Sequence, residues 1–182
     1  TARKGRTIVK EFEIDPSSEI CLLLDLDKTH HTGFNLNSTE EISAQICAGL
    51  ARYFIQTNRS VGLAFFDSSM KVDKPEKGNS HFTRILESLA LAKAIGSVTM
   101  EQLILDQSPK FGRHSTVIAI TPSTNTQWIT ELRGLNNRGI QVTAITLNGE
   151  SFGGFINSDN VYKSLEQNGI LHYDIAAGTD LT

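Results

Sequence analysis

The sequence predicts a single α/β domain whose sheet is doubly wound, mainly parallel and flanked by helices. Short apolar runs alternate along the chain with longer stretches of helical periodicity, which is the pattern of strand–helix–strand units. One run, at residues 20–24, is continuously apolar and ends at Asp25, as expected for a central strand buried on both faces. Crossovers between such strands are right-handed and give a Rossmann-like sheet with helices on both sides.

The remaining elements follow from local signals. Residues 7–13 alternate imperfectly before Pro16 breaks the pattern, so we expect an extra N-terminal edge strand there. Ser38 and Glu41 have the spacing of a capping box and begin a long helix. Further strands are predicted at 61–66, 116–121, 140–147 and near 170, and further helices at 82–94, 99–105, 127–137 and 160–167. The stretch 68–80 is predicted to be an irregular, mobile loop.

Length and composition favour one domain and argue against several classes of protein. A chain of 182 residues can bury a single core, and its net charge of -3 gives no electrostatic support for nucleic-acid binding. We divide it into residues 1–18, a strand and turn expected to be cut from a preceding region of a longer protein, and residues 19–182, the domain itself. Without a long apolar run or a signal peptide, the domain is expected to be soluble. Cys21 and Cys47 occupy apolar positions, which predicts free, buried thiols and suits a reducing compartment.

Polar side chains follow the predicted strands, at the edge where open α/β sheets bind their ligands. Asp25, Asp27 and Thr29 follow the central strand, and Thr121 and Ser123 end a later one. Oxygen donors favour Mg²⁺ over softer metals, and two carboxylates at this spacing repel each other unless a cation, solvent or hydrogen bonds intervene. Asp25, Asp27 and Thr29 are therefore the predicted metal site, whereas Ser123 is expected to act as a local cap.

Other residues near these strand ends are not expected to take part. His30 and His31 are adjacent in a polar loop, so their side chains should diverge, face solvent and stay outside the predicted site. Gly149, Gly153 and Gly154 follow a strand, but they do not form a phosphate-binding loop that opens a helix. Dinucleotide binding is therefore not expected.

One short motif resembles a family of enzymes. Asp25-Leu26-Asp27-Lys28-Thr29 is similar to the D-x-D-x-T motif of haloacid dehalogenase-type phosphatases, which also ends a central strand. That resemblance implies a nucleophilic role for Asp25, acid and base roles for Asp27, and catalysis assisted by Mg²⁺. The later Lys and the paired acidic residues of that family lack convincing counterparts, and the Asn148-Gly149-Glu150 segment is a weak substitute.

A second resemblance extends over most of the chain. The segments that carry it are Ala2-Arg3, Gly5, Ile8-Val9-Lys10-Glu11-Phe12-Glu13, Leu22-Leu23-Leu24-Asp25, Val61-Gly62-Leu63-Ala64-Phe65 and Thr121-Pro122-Ser123. In this order and spacing the chain resembles the Domain of Unknown Function fifty-eight family. Members of that family resemble von Willebrand factor A domains, so the resemblance implies the same sheet architecture.

Von Willebrand factor A domains often carry a metal-ion-dependent adhesion site, and the resemblance implies a degenerate version here. Asp25, Asp27 and Thr29 stand at its first motif, D-x-S-x-S, in which Asp27 and Thr29 replace the serines. Ser80 or Thr83 would supply the Thr of the second loop. At the position of the later Asp the chain has Pro122. Weak Mg²⁺ binding is the expectation for such a site.

The function implied by this resemblance is a protein–protein interaction module rather than an enzyme. The partner would be a MoxR-type AAA ATPase, and the chain would be a cytoplasmic domain of a bacterial protein anchored in the membrane through a region outside this sequence. Partner contact is expected at the strand-tip loops, with Ser80 and Thr121 as candidate binding residues. The alternative is the Mg²⁺-dependent phosphatase that uses Asp25 and Asp27. A purely structural domain would instead show no stabilisation by divalent cations.

Overall fold

A computed structural model describes residues 19–180. The strands are β1 Glu19–Leu24, β2 Gly33–Phe34, β3 Asn37–Ser38, β4 Val61–Phe66, β5 Met70–Glu76, β6 Ser115–Thr121, β7 Gln141–Leu147 and β8 Leu171–Ile175. The helices are α1 Thr39–Gln56, α2 Asn79–Leu91, α3 Met100–Gln107, α4 Gln127–Asn137 and α5 Asp159–Gln167, and short 3-10 turns occupy Ser108–Lys110 and Gly149–Phe152. Within this part of the chain, no helix combines the length and the apolar character needed to cross a bilayer.

Six strands form one sheet in the order β5-β4-β1-β6-β7-β8, and β2 pairs with β3 in a separate small hairpin. All neighbours in the large sheet are parallel except β4 and β5. The predicted fold class is confirmed: the sheet is mainly parallel and helices cover both of its faces. The predicted edge strand at residues 7–13 and the boundary at residue 18 lie outside the described residues.

The position of β1 at the centre of the sheet explains why its sequence is continuously apolar. Side chains alternate across a strand, so Ile20, Leu22 and Leu24 pack into the core layer beneath α1 and α2. Cys21 and Leu23 point the other way, into the layer formed with α3, α4 and α5. Both faces are covered, and every position must be apolar. Cys21 and Cys47 are free and buried, as predicted, and they belong to opposite layers.

The prediction of an irregular loop at residues 68–80 was wrong. The chain forms the antiparallel edge strand β5 there, and α2 begins at Asn79. Charged and half-exposed side chains obscure the strand pattern, and Pro75 cannot donate to a ladder, yet both features are usual in an edge strand. Pro75 packs over Gly62 of β4, where a Cβ would lie 3.0 Å from the Pro75 ring. Because β5 runs antiparallel, it carries the chain back to the amino-terminal edge of the sheet before α2 starts.

The order of connection reverses between β1 and β6. From β1 the chain moves outward through β4 to β5, and it then crosses to β6 on the other side of β1. The carboxyl ends of β1 and β6 therefore lie side by side, with Leu24 opposite Ile120 in the ladder. Ligands of open α/β sheets bind at such a reversal. Residues that follow Leu24 and Ile120 are placed there by topology alone.

Candidate functional site

Asp25 stands at the centre of the strand-tip edge. Its backbone N–H extends the ladder by donating to Ile120 O at 3.0 Å, so its side chain emerges between β1 and β6. The carboxyl is only 1% exposed. Oδ1 accepts a hydrogen bond from the Asp27 backbone N at 3.0 Å, and Oδ2 accepts one from Thr121 Oγ1 at 2.5 Å. Burial raises the pKa of Asp25, and these hydrogen bonds, with His31 and His30 nearby, oppose that rise.

Asp27 closes the turn that follows β1. Its Oδ1 accepts from the Thr29 backbone N at 3.0 Å and from Thr29 Oγ1 at 2.9 Å. Its Oδ2 lies 3.8 Å from His30 Nε2. This is the local geometry in which an Asp side chain bonds to the backbone two residues later. Asp25, Asp27 and Thr29 thus lie close together, as the sequence predicted. In this structure hydrogen bonds join them to one another.

His30 and His31 are half-buried and contact residues of the strand-tip edge, so the expectation that they are solvated and lie outside the site was wrong. His31 Nε2 lies 3.0 Å from Asp25 O, and its Nδ1 lies 3.1 Å from Thr39 Oγ1. Because a carbonyl oxygen only accepts, Nε2 carries the proton in this contact. Burial lowers the pKa of His31, against the opposing influence of the Asp25 charge. His30 diverges to the other side, where its Nε2 lies 3.3 Å from Ser123 Oγ.

Thr121 lies at the predicted edge, but its side chain is fully buried. It contacts Asp25, and its Oγ1 also accepts from the Ser123 backbone N at 2.9 Å. Ser123 in turn accepts from the Asn125 N–H at 3.2 Å, which is the local capping role expected for it. In this structure Thr121 positions Asp25 and offers no surface to an incoming partner.

Ser80 does not join the group, and its predicted place at the strand tips was wrong. It is exposed in the first turn of α2, and the next residue, His81, places Nε2 2.5 Å from the carbonyl oxygen of Val61. Val61 begins β4, so Ser80 lies at the opposite, amino-terminal edge of the sheet. The physical reason is β5, which the sequence did not reveal. Because β5 runs antiparallel to β4, the chain returns to the amino-terminal edge of the sheet before α2 begins.

The adhesion-site pattern would bring a side chain from its second loop to the strand tip. In this structure Gly96, in the segment after α2, lies there. Its N–H donates to Leu26 O at 3.0 Å, and its carbonyl accepts from the Lys28 N–H at 3.1 Å, which forms a parallel bridge beside Asp27. A Cβ on Gly96 would overlap Phe66 O and would lie 2.8 Å from Leu26 O. The sequence did not reveal this close approach, because it depends on two segments about seventy residues apart in the chain.

Hydrogen bonds within the chain engage the side chains that the sequence pattern assigns to a magnesium ion. Both oxygens of Asp25 and one oxygen of Asp27 already accept hydrogen bonds, and the hydroxyls of Thr29 and Thr121 direct their protons at these carboxylates. Mg²⁺ needs oxygen lone pairs in near-octahedral order. Between residues 19 and 180, no group of three or more His, Cys, Asp or Glu side chains is arranged to hold a metal ion. Hydrogen-bond donors balance the two carboxylates instead.

Comparisons with solved structures identify the architecture. The chain is similar to an aerotolerance-related membrane protein from Bacteroides fragilis NCTC 9343, solved with multiple mutations to serine, at 12% identity and TM-score 0.64, over 87% of this chain and 91% of that one. BatB, a conserved hypothetical protein from Bacteroides thetaiotaomicron, is similar at 12% identity and TM-score 0.66, over 88% and 91%. Proximal thread matrix protein 1 from the mussel byssus is similar at 15% identity and TM-score 0.57, over 88% of this chain and 44% of that one. At these identities the likeness shows the fold alone.

Sequence comparison adds the family. No curated protein matches the chain. The profile described as "Protein of unknown function DUF58" matches residues 1–151, which is most of the chain. The fold seen here is the von Willebrand factor A-like fold of the BatB structures. Because the DUF58 profile matches most of its length, this chain belongs to the DUF58 family.

Proposed function

We propose that this domain is a protein-interaction module that binds its partner with the loops at the carboxyl-terminal edge of the sheet. The observation that carries the proposal is the closed centre at that edge. Asp25 is buried, both of its carboxylate oxygens accept hydrogen bonds, and the Gly96 backbone covers the neighbouring strand tip. Loops held by a regular scaffold are where proteins place binding residues, and the burial of Asp25 leaves contact with a partner to the exposed loops around it.

The same centre weighs against the phosphatase alternative. A nucleophilic carboxylate must be ionised and must reach phosphorus. Asp25 is only 1% exposed, and its two oxygens face Asp27 N and Thr121 Oγ1. The D-x-D-x-T spacing is present without the exposure that the reaction needs. The assay is release of p-nitrophenol from p-nitrophenyl phosphate with Mg²⁺. Turnover by the wild-type chain that is lost in Asp25→Asn would overturn the binding proposal.

The site acts, in this proposal, as a degenerate adhesion site in which hydrogen bonds take the place of a cation. In an adhesion site a partner carboxylate completes the coordination of the metal. Here the Thr29 and Thr121 hydroxyls and the backbone N–H groups neutralise the carboxylates internally. Contact with the partner then falls to the side chains of the surrounding loops.

A MoxR-type AAA ATPase is the proposed partner, and the chain is proposed to be a cytoplasmic domain of a membrane-anchored bacterial protein. Two observations support this. The chain belongs to the DUF58 family. The resemblance to that family implied both the ATPase partner and the membrane anchor. One structural neighbour is itself described as an aerotolerance-related membrane protein.

The test measures binding of the 182-residue chain to a purified MoxR-type ATPase by biolayer interferometry. Lys28→Cys places a thiol at the strand-tip edge, and Gly112→Cys places one before β6, at the opposite edge; both positions are exposed. The native thiols of Cys21 and Cys47 are buried with raised pKa, so a polyethylene glycol maleimide should modify the introduced cysteine. We expect the polymer to block binding at position 28 and to spare it at position 112.

Two results would count against the proposal. If the unmodified chain shows no binding to the ATPase, the proposed partner is wrong. If the polymer blocks binding at position 112 and spares it at position 28, the partner uses the other edge of the sheet. Circular dichroism of both conjugates serves as the control for folding.

A further inference from the structure

The loop between Asp25 and α1 is built as a fixed hairpin that presents apolar side chains to solvent. Phe34 is 87% exposed and Leu36 is 75% exposed. Gly33 permits the hairpin, because its φ is +89° and a Cβ there would lie 2.8 Å from Ser38 Cα. Asn35 takes a positive φ of 51°, and Ser38 Oγ donates to its carbonyl at 2.9 Å. The backbone that carries the two apolar side chains is therefore ordered before any partner arrives, which lowers the entropic cost of binding.

A neighbouring loop carries two more exposed apolar side chains. Phe155 is fully exposed and Ile156 is 63% exposed, in the segment between β7 and α5. Thr32 joins this loop to the hairpin: its Oγ1 donates to Gly149 O at 3.2 Å, and a Cβ on Gly154 would lie 3.0 Å from its Cγ2. We call Phe34, Leu36, Phe155 and Ile156 the apolar loop patch. Exposed apolar groups gathered in this way mark interaction sites in monomeric domains.

The charged side chains around the patch indicate what kind of partner it binds. The strand-tip loops and the first helical turns beside them carry more acidic than basic side chains outside the buried centre; the acidic ones are Glu40, Glu41, Asp67, Glu150, Asp159 and Asp180, and the basic ones are Lys28 and Lys93. Glu150 belongs to the same loop as Phe155, and Asp159 begins the helix that follows it. An acidic rim attracts a basic partner. It repels an anionic membrane, and in a symmetric dimer it would face a second acidic rim.

We infer that the apolar loop patch binds an amphipathic segment of the partner protein, with apolar side chains packed on Phe34 and Phe155 and with Lys or Arg facing the acidic rim. This inference rests on the proposed function and adds the chemistry of the bound segment. Aromatic side chains at the centre of an interface carry much of its binding energy, while the charged rim sets orientation and partner choice.

The experiment uses fluorescence anisotropy with three labelled peptides of about 18 residues, which is long enough for five helical turns. The first has a leucine face and a lysine face, the second has leucine and glutamate faces, and in the third serine replaces the leucines of the first. The full chain is titrated with each peptide, beside the double variant Phe34→Ser/Phe155→Ser. Leu105→Ser is the matched control, because Leu105 is an exposed apolar residue on α3, outside the patch.

We expect only the leucine–lysine peptide to bind, with Kd about tenfold or more weaker for the double variant and unchanged for Leu105→Ser. Equal affinity of the double variant, or binding of the leucine–glutamate peptide, would overturn the inference. So would a patch-dependent dimer in sedimentation equilibrium or patch-dependent binding to anionic phosphatidylglycerol vesicles, since either would identify a different occupant. Circular dichroism confirms that the double variant folds.

Failure of this inference is distinguishable from failure of the proposed function. If the double variant still binds the MoxR-type ATPase as tightly as the wild type does, the apolar loop patch is wrong and the interaction module stands. If the wild-type chain binds no ATPase and hydrolyses p-nitrophenyl phosphate, the proposed function itself fails.

Discussion

Asp25 is an ionisable side chain placed almost entirely out of water. Neighbouring donors compensate it: Thr121 and the Asp27 N–H contact its oxygens, and His31 donates to its backbone carbonyl. The sequence indicated that Asp25 and Asp27 are special, because two carboxylates at a strand tip require compensation. It did not indicate that Thr121 and the histidines supply that compensation, because those residues are joined to Asp25 only by the fold.

The first residue-scale prediction concerns stability and pH. The folded-state pKa of Asp25 is raised above the unfolded value of about 3.9. Between the two values the folded protein holds a proton that the unfolded chain has lost, so stability falls as pH rises through this window. Asp25→Asn cannot titrate. We expect the free energy of unfolding of the wild type minus that of Asp25→Asn to fall with rising pH, by at most about 1.4 kcal/mol per pH unit.

Urea denaturation over a pH range that begins about two units below the unfolded value of about 3.9 measures this difference, and Asp67→Asn provides a control of opposite sign. Slight burial raises the pKa of Asp67, but hydrogen bonds from Ser69 and Ser68 outweigh it and leave the pKa lowered. The Asp67 contribution is therefore present above its unfolded pKa and is lost as pH falls through the folded value. A difference for Asp25→Asn that does not change with pH would mean that Asp25 ionises as easily in the folded state as in the unfolded state.

The second residue-scale prediction concerns Gly96. In Gly96→Ala the added methyl group meets the carbonyl oxygens of Phe66 and Leu26, which are backbone atoms of two strands and cannot rotate away. We expect a loss of about 1–3 kcal/mol in the free energy of unfolding. The control is Gly134→Ala in α4, where a Cβ meets nothing within 4 Å, and a gain of about 0.5–1 kcal/mol is expected. Equal effects of the two changes in urea denaturation would contradict this account.

At the scale of elements, local chemistry predicts where helices begin better than it predicts how segments pair. The start of α1 was predicted from Ser38, and the structure confirms it: Ser38 Oγ accepts from the Glu41 N–H at 3.2 Å. The β2–β3 hairpin was not predicted, because its Gly33 and Asn35 are two turn residues among several polar ones. Strand β5 was missed because its charged residues and Pro75 are typical of loops as well as of edge strands.

The element-scale prediction tests the junction of hairpin and helix. Ser38→Ala removes both the cap of α1 and the hydrogen bond from Ser38 Oγ to the Asn35 carbonyl. We expect a loss of about 1 kcal/mol in the free energy of unfolding by urea. Thr126→Ala is the matched control, since Thr126 precedes α4 without a side-chain capping bond, and its effect should be close to zero. A Ser38→Ala effect as small as that of Thr126→Ala would mean that the cap does not stabilise the junction.

For the whole molecule, the proposed function implies that the strand-tip carboxylates are stabilised by hydrogen bonds from the chain itself. A resident cation would couple folding to metal concentration. Here the compensating groups come from β6 and from the segment between β1 and α1, so these hydrogen bonds form when the sheet assembles. The centre then contributes to the stability of the whole domain without a ligand.

The corresponding prediction is a thermal melt followed by circular dichroism in millimolar MgCl₂. A cation at a hundred times its Kd would stabilise the fold by about 2.7 kcal/mol and raise Tm by roughly 5 °C or more in a domain of this size. We expect a shift below about 1 °C, which is small on that scale, after matching ionic strength with NaCl. A larger shift that disappears in Asp27→Asn would show that Asp27 binds Mg²⁺ and would overturn our account of the centre.

The sequence by itself determined the fold class, the central strand, the start of α1 and the special character of Asp25 and Asp27. These depend on periodicity, capping and charge repulsion, which act between residues close together in the chain. Only the tertiary structure decided that Thr121 bonds to the Asp25 carboxyl and His31 to its backbone carbonyl, that Gly96 must be glycine and that Ser80 lies at the far edge. Those outcomes depend on which strands become neighbours and on the direction of β5, and both are set by packing between segments distant in sequence.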